Sequence, residues 1–108
     1  MAAVELRQYQ TADGRIPFAD WIAGQRDRRA LRAIAARMTR VQVGNRGDWK
    51  ALGAGLFELR IDFGPGLRIY CGQDGATLVL LLCAGDKATQ AKDIEHARHY
   101  WKDYQARR

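Results

Sequence analysis

The stretch LFELRIDFGPGLRIYC, Leu56–Cys71, decides the fold of this chain. Apolar and polar residues alternate on either side of Gly64-Pro65-Gly66, which marks two half-buried strands joined by a turn. Phe57, Leu59, Ile61 and Phe63 share one face of the first strand, and Glu58, Arg60 and Asp62 share the other. In the second strand Leu67, Ile69 and Cys71 fall together, with Arg68 and Tyr70 on the opposite face. A single core places both apolar rows on the same side of the sheet. Arg60, Arg68 and Tyr70 then gather on the other side.

Downstream, Gln73-Asp74-Gly75 reads as a second tight turn, since Asp-Gly between apolar runs is a strong hairpin signal. The strand that follows, TLVLLLCAG, is apolar on both faces. It is therefore expected to be central and covered on both sides, so the polar face of the hairpin is not wholly open. The last element is a helix from Thr89, its expected N-cap, to about Gln105. Ile94, Ala97, Trp101 and Tyr104 give it an inward stripe.

Upstream, Val4–Tyr9 alternates as a short strand, TADGR turns, and Pro17 opens a helix, PFADWIAGQ. A longer helix starts near Asp27, with Leu31, Ile34, Ala35, Met38 and Val41 at helical spacing, and stops at Gly44-Asn45. The two helices read as an antiparallel hairpin. Arg28, Arg29, Arg32, Arg37 and Arg40 on the second one read as a solvated outer surface with a share in phosphate contacts. The segment RGDWKALGAG is expected to be a loop. The order is β-α-α-β-β-β-α, an α+β fold with helices packed on a small antiparallel sheet.

At 108 residues and 47% hydrophobic, the chain forms one domain, residues 1–108, with a core of its own. The segment MAAVELRQYQ has no apolar stretch of the secretory kind, and the longest apolar run, Leu78–Ala84, is far short of a membrane span. A cytoplasmic protein without a membrane partner is expected. Cys71 and Cys83 lie in strands without metal-ligand spacing and read as buried thiols. Lys and Arg total 18 against 12 Asp and Glu, and arginine outnumbers lysine 14 to 4. Arginine offers a planar fork of donors suited to phosphate, so a polyanionic partner, most often nucleic acid, is expected.

Candidate site residues converge on the polar face of the hairpin. Arg60 and Arg68 project from it, and Tyr70 could offer a base a stacking surface. Lys87, in GDKATQ, stands where the central strand gives way to the last helix. Lys50 precedes the hairpin and reaches toward its edge. Glu58 and Asp62 share the face and balance part of the charge. His96 and His99 form an i, i+3 pair on the last helix without further metal ligands at suitable spacing. No Ser-His-Asp set, HExxH, P-loop or GxGxxG is present. No cofactor or metal is called for.

The segments IPFADWI, the Arg-rich helix ending in VGN, KALGAGLFELRIDFGPGLRIYCG and LVLLLCAGDKATQAKDIEHARHYW together resemble the RelE/ParE superfamily of type II toxin–antitoxin toxins. The likeness is greatest to the HigB-like branch of addiction-module killer proteins. ELRIDFGPG followed by R-Y and LLLCAGDK is the specific part. The resemblance implies a RelE-like microbial RNase fold, with two N-terminal helices on a four-stranded antiparallel sheet closed by a C-terminal helix. It implies an mRNA interferase, an endoribonuclease that cuts mRNA on the ribosome, and a cognate antitoxin, of helix-turn-helix type and encoded beside it. Arg60, Arg68 and Lys87 match the family's catalytic positions, and Lys50 is a looser match. The sequence departs from some members in having no histidine on the sheet.

Metal-independent RNA cleavage proceeds by attack of the 2′-hydroxyl on the adjacent phosphate. It needs a base, an acid for the leaving 5′-oxygen, and cations for the charge on phosphorus. Arg60 and Arg68 suit the cation role. Lys87 is the expected acid or base, since a lysine among arginines is pushed toward neutrality. Two other readings remain at this point: a ParE-like toxin that poisons DNA gyrase through protein contacts, and a module that binds RNA without cutting it.

Overall fold

The computed structural model describes residues 3–108. Along the chain run β1 (Glu5–Gln8), α1 (Pro17–Ala23), α2 (Arg28–Gln42), β2 (Trp49–Gly53), β3 (Leu56–Ile61), β4 (Leu67–Asp74), β5 (Leu78–Asp86), a 3-10 turn (Lys87–Thr89) and α3 (Gln90–Arg107). The class is α+β, as the alternation predicts. The strands form one mixed, open sheet in the order β1-β5-β4-β3-β2.

Two features of the sheet correct the sequence reading. It has five strands rather than four, because the segment read as a loop holds β2, antiparallel to β3 with Lys50 opposite Glu58. This edge strand is exposed along most of its length. It is held by backbone pairing and by Trp49 set edge-on against Phe57, with ring centroids 5.8 Å apart. Such a strand needs no apolar alternation, so WKALG carries no strand signal. The sheet is also not purely antiparallel: β1 pairs parallel with β5, Leu6 opposite Val79. Strand direction is set by the path of the intervening chain, which local periodicity does not encode.

The hairpin registers as expected. Phe57, Leu59 and Ile61 stand opposite Cys71, Ile69 and Leu67. This row joins Val79 and Leu81 of β5 in one core, into which α1 and α2 send Phe18, Ala30, Ile34 and Val41. β5 alternates in the other sense as well. Its Leu80 and Leu82 pack with Tyr70 beneath Ala97 and Trp101 of α3, forming a second core on the opposite face. The double-sided apolar strand is thus central and covered, at roughly 1.5–3 kcal/mol for each large side chain buried.

α3 lies close to the sheet. The Trp101 ring covers Gly72 so tightly that a methyl group there would collide with it, and its indole N–H donates to the Ala54 carbonyl at 2.8 Å. The Asp27 carboxylate accepts from the Arg29 amide at 2.9 Å and caps α2. Thr89, the expected cap of α3, makes no capping bond. Asp86 takes that role one turn earlier, accepting from the Ala88 amide at 2.9 Å, so helical structure begins at Lys87. Arg37 also departs from expectation. It is buried and donates to the carbonyls of Arg46 (3.3 Å) and Asp48 (3.2 Å), anchoring the segment that leads into β2. Both cysteines are buried free thiols. Among the described residues no helix is long and apolar enough to cross a membrane.

Candidate functional site

Arg60 and Arg68 occupy directly opposed positions on β3 and β4, and Arg68 is paired on its other side with Gly85 of β5. Side chains at paired positions share a face, so both guanidiniums leave the same face of the sheet at its end. The Arg60 amide donates to the Asp48 carbonyl at 2.9 Å, which fixes the chain before β2 beside them. The β3–β4 turn folds back with the Gly66 amide on the Phe63 carbonyl at 3.0 Å. The Lys87 amide in turn donates to the Gly66 carbonyl at 2.9 Å. These elements enclose a cleft of about 430 Å³ lined by Arg60, Arg68, Lys87, Asp48, Asp62 and Gly66. The three residues predicted as catalytic therefore meet around one cavity.

Two glycines make the approach possible. Gly66 has φ +88°, a left-handed conformation that costs other residues roughly 1–2 kcal/mol. A methyl group on it would meet an Arg68 terminal nitrogen at 3.4 Å, an ordinary contact, so the demand for glycine lies in the backbone. Gly85, opposite Arg68, lies beneath Asp93, and a methyl group there would collide with that carboxylate. Asp93 in turn accepts from the Thr89 hydroxyl. The motif Gly85-Asp86-Lys87 thus reads as clearance for Asp93, a cap for the 3-10 turn, and a lysine presented on that turn.

Behind the cleft lies Glu58, which is fully buried. One carboxylate oxygen accepts from Arg60 Nε at 2.9 Å and lies 3.9 Å from Arg68 Nε; the other accepts from Gln90 Nε2 of α3 at 2.8 Å. Burial alone would raise the Glu58 pKa. The hydrogen bonds from Arg60 and Gln90 and the charge of Arg60 outweigh it and hold the carboxyl below its usual value, so it is an anion at neutral pH. It offsets the repulsion between the two opposed arginines. The Arg60 side chain is 34% exposed and that of Arg68 14%, so the first presents its guanidinium and the second mainly an edge.

Tyr70 shares the face of the two arginines, as the alternation predicts, but does not stand in the open, which corrects its expected role as a stacking surface. It is fully buried under α3, opposite Glu58, because the helix covers this stretch of the sheet. No base can stack on its ring in this arrangement. Its hydroxyl faces the Glu58 carboxylate without a well-aligned hydrogen bond, and burial, reinforced by the charge of Glu58, pushes its pKa up. Lys50 is exposed on β2, opposite Glu58, and lies outside the lining of the cleft. His96 and His99 are exposed on α3, each ring about 6 Å from that of Tyr100.

Sequence reasoning saw Glu58 as a partial counter-charge but not as buried, and it missed Gln90, Asp48, Gly66 and Gly85. Glu58 carried a signal: it sits two residues from Arg60 on the same strand face. Gln90 carried none, because its partner is 32 positions away. Chemically the cleft offers two permanent guanidinium cations, an ammonium, and rim carboxylates at Asp48 and Asp62. That set can bind a phosphodiester and exchange protons with it.

The fold and cleft define a small α+β chain with a mixed five-stranded sheet and a basic pocket at the sheet's end. No family model matches the chain. An uncharacterized protein of Haemophilus influenzae is 47% identical to it over 83 residues, which span 77% of this chain and 84% of that protein. The chain belongs to the same family as that protein.

Proposed function

We propose that this chain is the toxin of a type II toxin–antitoxin pair, with the RelE-like microbial RNase fold of the HigB-like branch. Its activity is ribosome-dependent cleavage of mRNA in the cytoplasm, held in check by a helix-turn-helix antitoxin. The observation that carries this reading is the meeting of Arg60, Arg68 and Lys87 around one cleft at the end of the sheet. The segments that resemble the superfamily supply these residues.

In the cleavage step the 2′-oxygen bonds to phosphorus as the bond to the 5′-oxygen breaks. The 2′-hydroxyl proton passes to a base and a proton reaches the leaving oxygen. The products are a 2′,3′-cyclic phosphate and a 5′-hydroxyl. Arg60 and Arg68 stabilise the charge gathering on the phosphate oxygens. Lys87, Asp48 and Asp62 are the cleft's groups able to give or take a proton. The experiment is primer extension on an mRNA incubated with the purified protein, with and without programmed ribosomes.

A second reading, a ParE-like toxin acting on DNA gyrase through protein contacts, draws on a separate feature. Phe18 and Ile22 of α1 and Leu31, Ile34 and Met38 of α2 line an apolar groove of about 460 Å³. Protein that stops growth but cuts no RNA, and that blocks DNA supercoiling, would establish this reading instead.

A further inference from the structure

We propose that Glu58 is the positioning residue of the cleft: its buried carboxylate orients the Arg60 guanidinium by a hydrogen bond and offsets the charge of Arg68 beside it, so it governs the rate of phosphodiester cleavage rather than the affinity for RNA. The kinetic half of this inference rests on the nuclease reading; the geometric half does not.

Glu58 is the one fully buried acidic side chain among the described residues. A buried charge is costly unless paired and hydrogen-bonded, and neighbouring groups satisfy it on both oxygens. Packing alone gives no reason for an acid here. The neighbours on this face of the sheet are Tyr70, Leu80 and Leu82, which pack as an apolar layer under α3. What distinguishes the position is its place between two like charges. Arg60 and Arg68 face each other at paired positions, an arrangement that repels. A single carboxylate oxygen serves the Nε edge of one and lies 3.9 Å from the same edge of the other. Arg60 lines the cleft and bonds Glu58 through Nε, and among the described residues its terminal nitrogens make no side-chain hydrogen bond. Gln90 holds the second oxygen, which stops the carboxylate from rotating and ties the orientation to the first turn of α3. Glu58 exchanges no proton in the cleavage step. It acts through the two arginines.

Charge and orientation make opposite predictions for the same substitution. Glu58→Gln keeps the shape and removes the anion. The site then gains one unit of positive charge, which attracts RNA, while the charge-assisted bond that aligns Arg60 is replaced by the weaker one an amide oxygen can accept. Misplacing a catalytic group by about 1 Å can cost ~10²-fold in rate.

The test joins three readouts on purified protein: single-turnover cleavage, RNA affinity, and NMR of the arginine Nε–H groups. For a folded Glu58→Gln variant the expected result is a rate about 10²-fold lower, affinity equal to or tighter than wild type, and a shifted, less protected Arg60 Nε–H signal. In an Arg60→Ala background the same substitution is expected to cost much less. An unchanged rate, a matching loss of affinity, full additivity with Arg60→Ala, or an undisturbed Nε–H signal would overturn the proposal. If Glu58→Gln does not fold, Gln90→Ala, outside both apolar cores, is expected to lower the rate without weakening binding; an unchanged rate overturns the proposal. If wild-type protein cuts no RNA, the nuclease reading fails and the NMR readout alone decides the positioning role.

Discussion

The Lys87 amide donates to the Gly66 carbonyl at 2.9 Å, joining the turn that follows β3 to the turn that opens α3. Through this bond the lysine and the Gly-Pro-Gly turn hold their places relative to the two arginines. Gly66 carries the strain-free left-handed backbone that the bond requires. Gly66→Ala is therefore expected to cost roughly 1–2 kcal/mol of stability and to reduce activity more than that loss of folded protein explains. Urea denaturation alongside single-turnover cleavage separates the two. Full specific activity per folded molecule would contradict the role given to this turn.

Tyr70→Phe should change stability by no more than about 1 kcal/mol, because the buried hydroxyl it deletes faces Glu58 without a well-aligned hydrogen bond. Activity should be retained, since the ring is covered by α3. The measurement is the urea midpoint at unchanged slope, with cleavage assayed in parallel. A larger fall in the midpoint would reveal a firm partner for the hydroxyl; loss of cleavage at unchanged stability would return Tyr70 to the site.

Lys50 is exposed, on an edge strand, and outside the cleft lining. A contact from there is expected to fall on the phosphate backbone. Lys50→Ala is expected to weaken RNA binding by a similar factor for different sequences and to lower the salt slope of log K by about 1. Fluorescence anisotropy over a range of salt concentrations checks this. An effect confined to one RNA sequence would place Lys50 in base readout instead.

Stability should fall at both ends of the pH range. Glu58 has a folded-state pKa below its usual value, so its contribution is present above the ordinary carboxylate range and is lost as pH falls through the folded value. At the alkaline end burial raises the thiol of Cys83 from 9.0 to about 12 and the hydroxyl of Tyr9 from 10.0 to about 12, with Asp103 also holding Tyr9 up. Cys71 and Tyr70 are raised as well, both chiefly by burial. Groups raised in this way favour the fold fully below their unfolded values, and the benefit is lost as pH climbs toward the folded ones. Chemical denaturation at a series of pH values should therefore show stability declining from about pH 9 onward. Each group that ionises only when unfolded steepens the decline by up to ~1.4 kcal/mol per pH unit. A flat profile from pH 9 to 11 would contradict these burials.

The hairpin, α2 and α3 were legible because each carries a strong period, two along Leu56–Ile61 and three to four along the helices, while β5 showed as an unbroken apolar run after a turn and α1 through Pro17. β2 was not, because a strand held by one neighbour's backbone needs little from its side chains. Nor was the direction of β1, which depends on a crossover rather than on any residue in ELRQ. The site was legible up to its cations. Arg60 and Arg68 announce a shared face through strand alternation, and Lys87 follows from its place at the end of β5. Tyr70 obeys the same alternation, yet α3 covers it, and where a helix lies along a strand is a tertiary fact. Gln90 and Gly85 act through partners on other elements, so no local pattern marks them.

The most direct measurement is primer extension on a translated mRNA, comparing wild-type protein with Arg68→Ala. Arg68 sits at the centre of the cleft, between Arg60 and Gly85, with its guanidinium mostly buried. A ribosome-dependent mRNA endonuclease should leave codon-related cuts only when ribosomes are present. Arg68→Ala should reduce them by ~10²–10³-fold in rate while the protein stays folded. Undiminished cutting by folded Arg68→Ala protein, or no cutting by wild-type protein that still arrests growth, would contradict the assignment of this cleft as the active site.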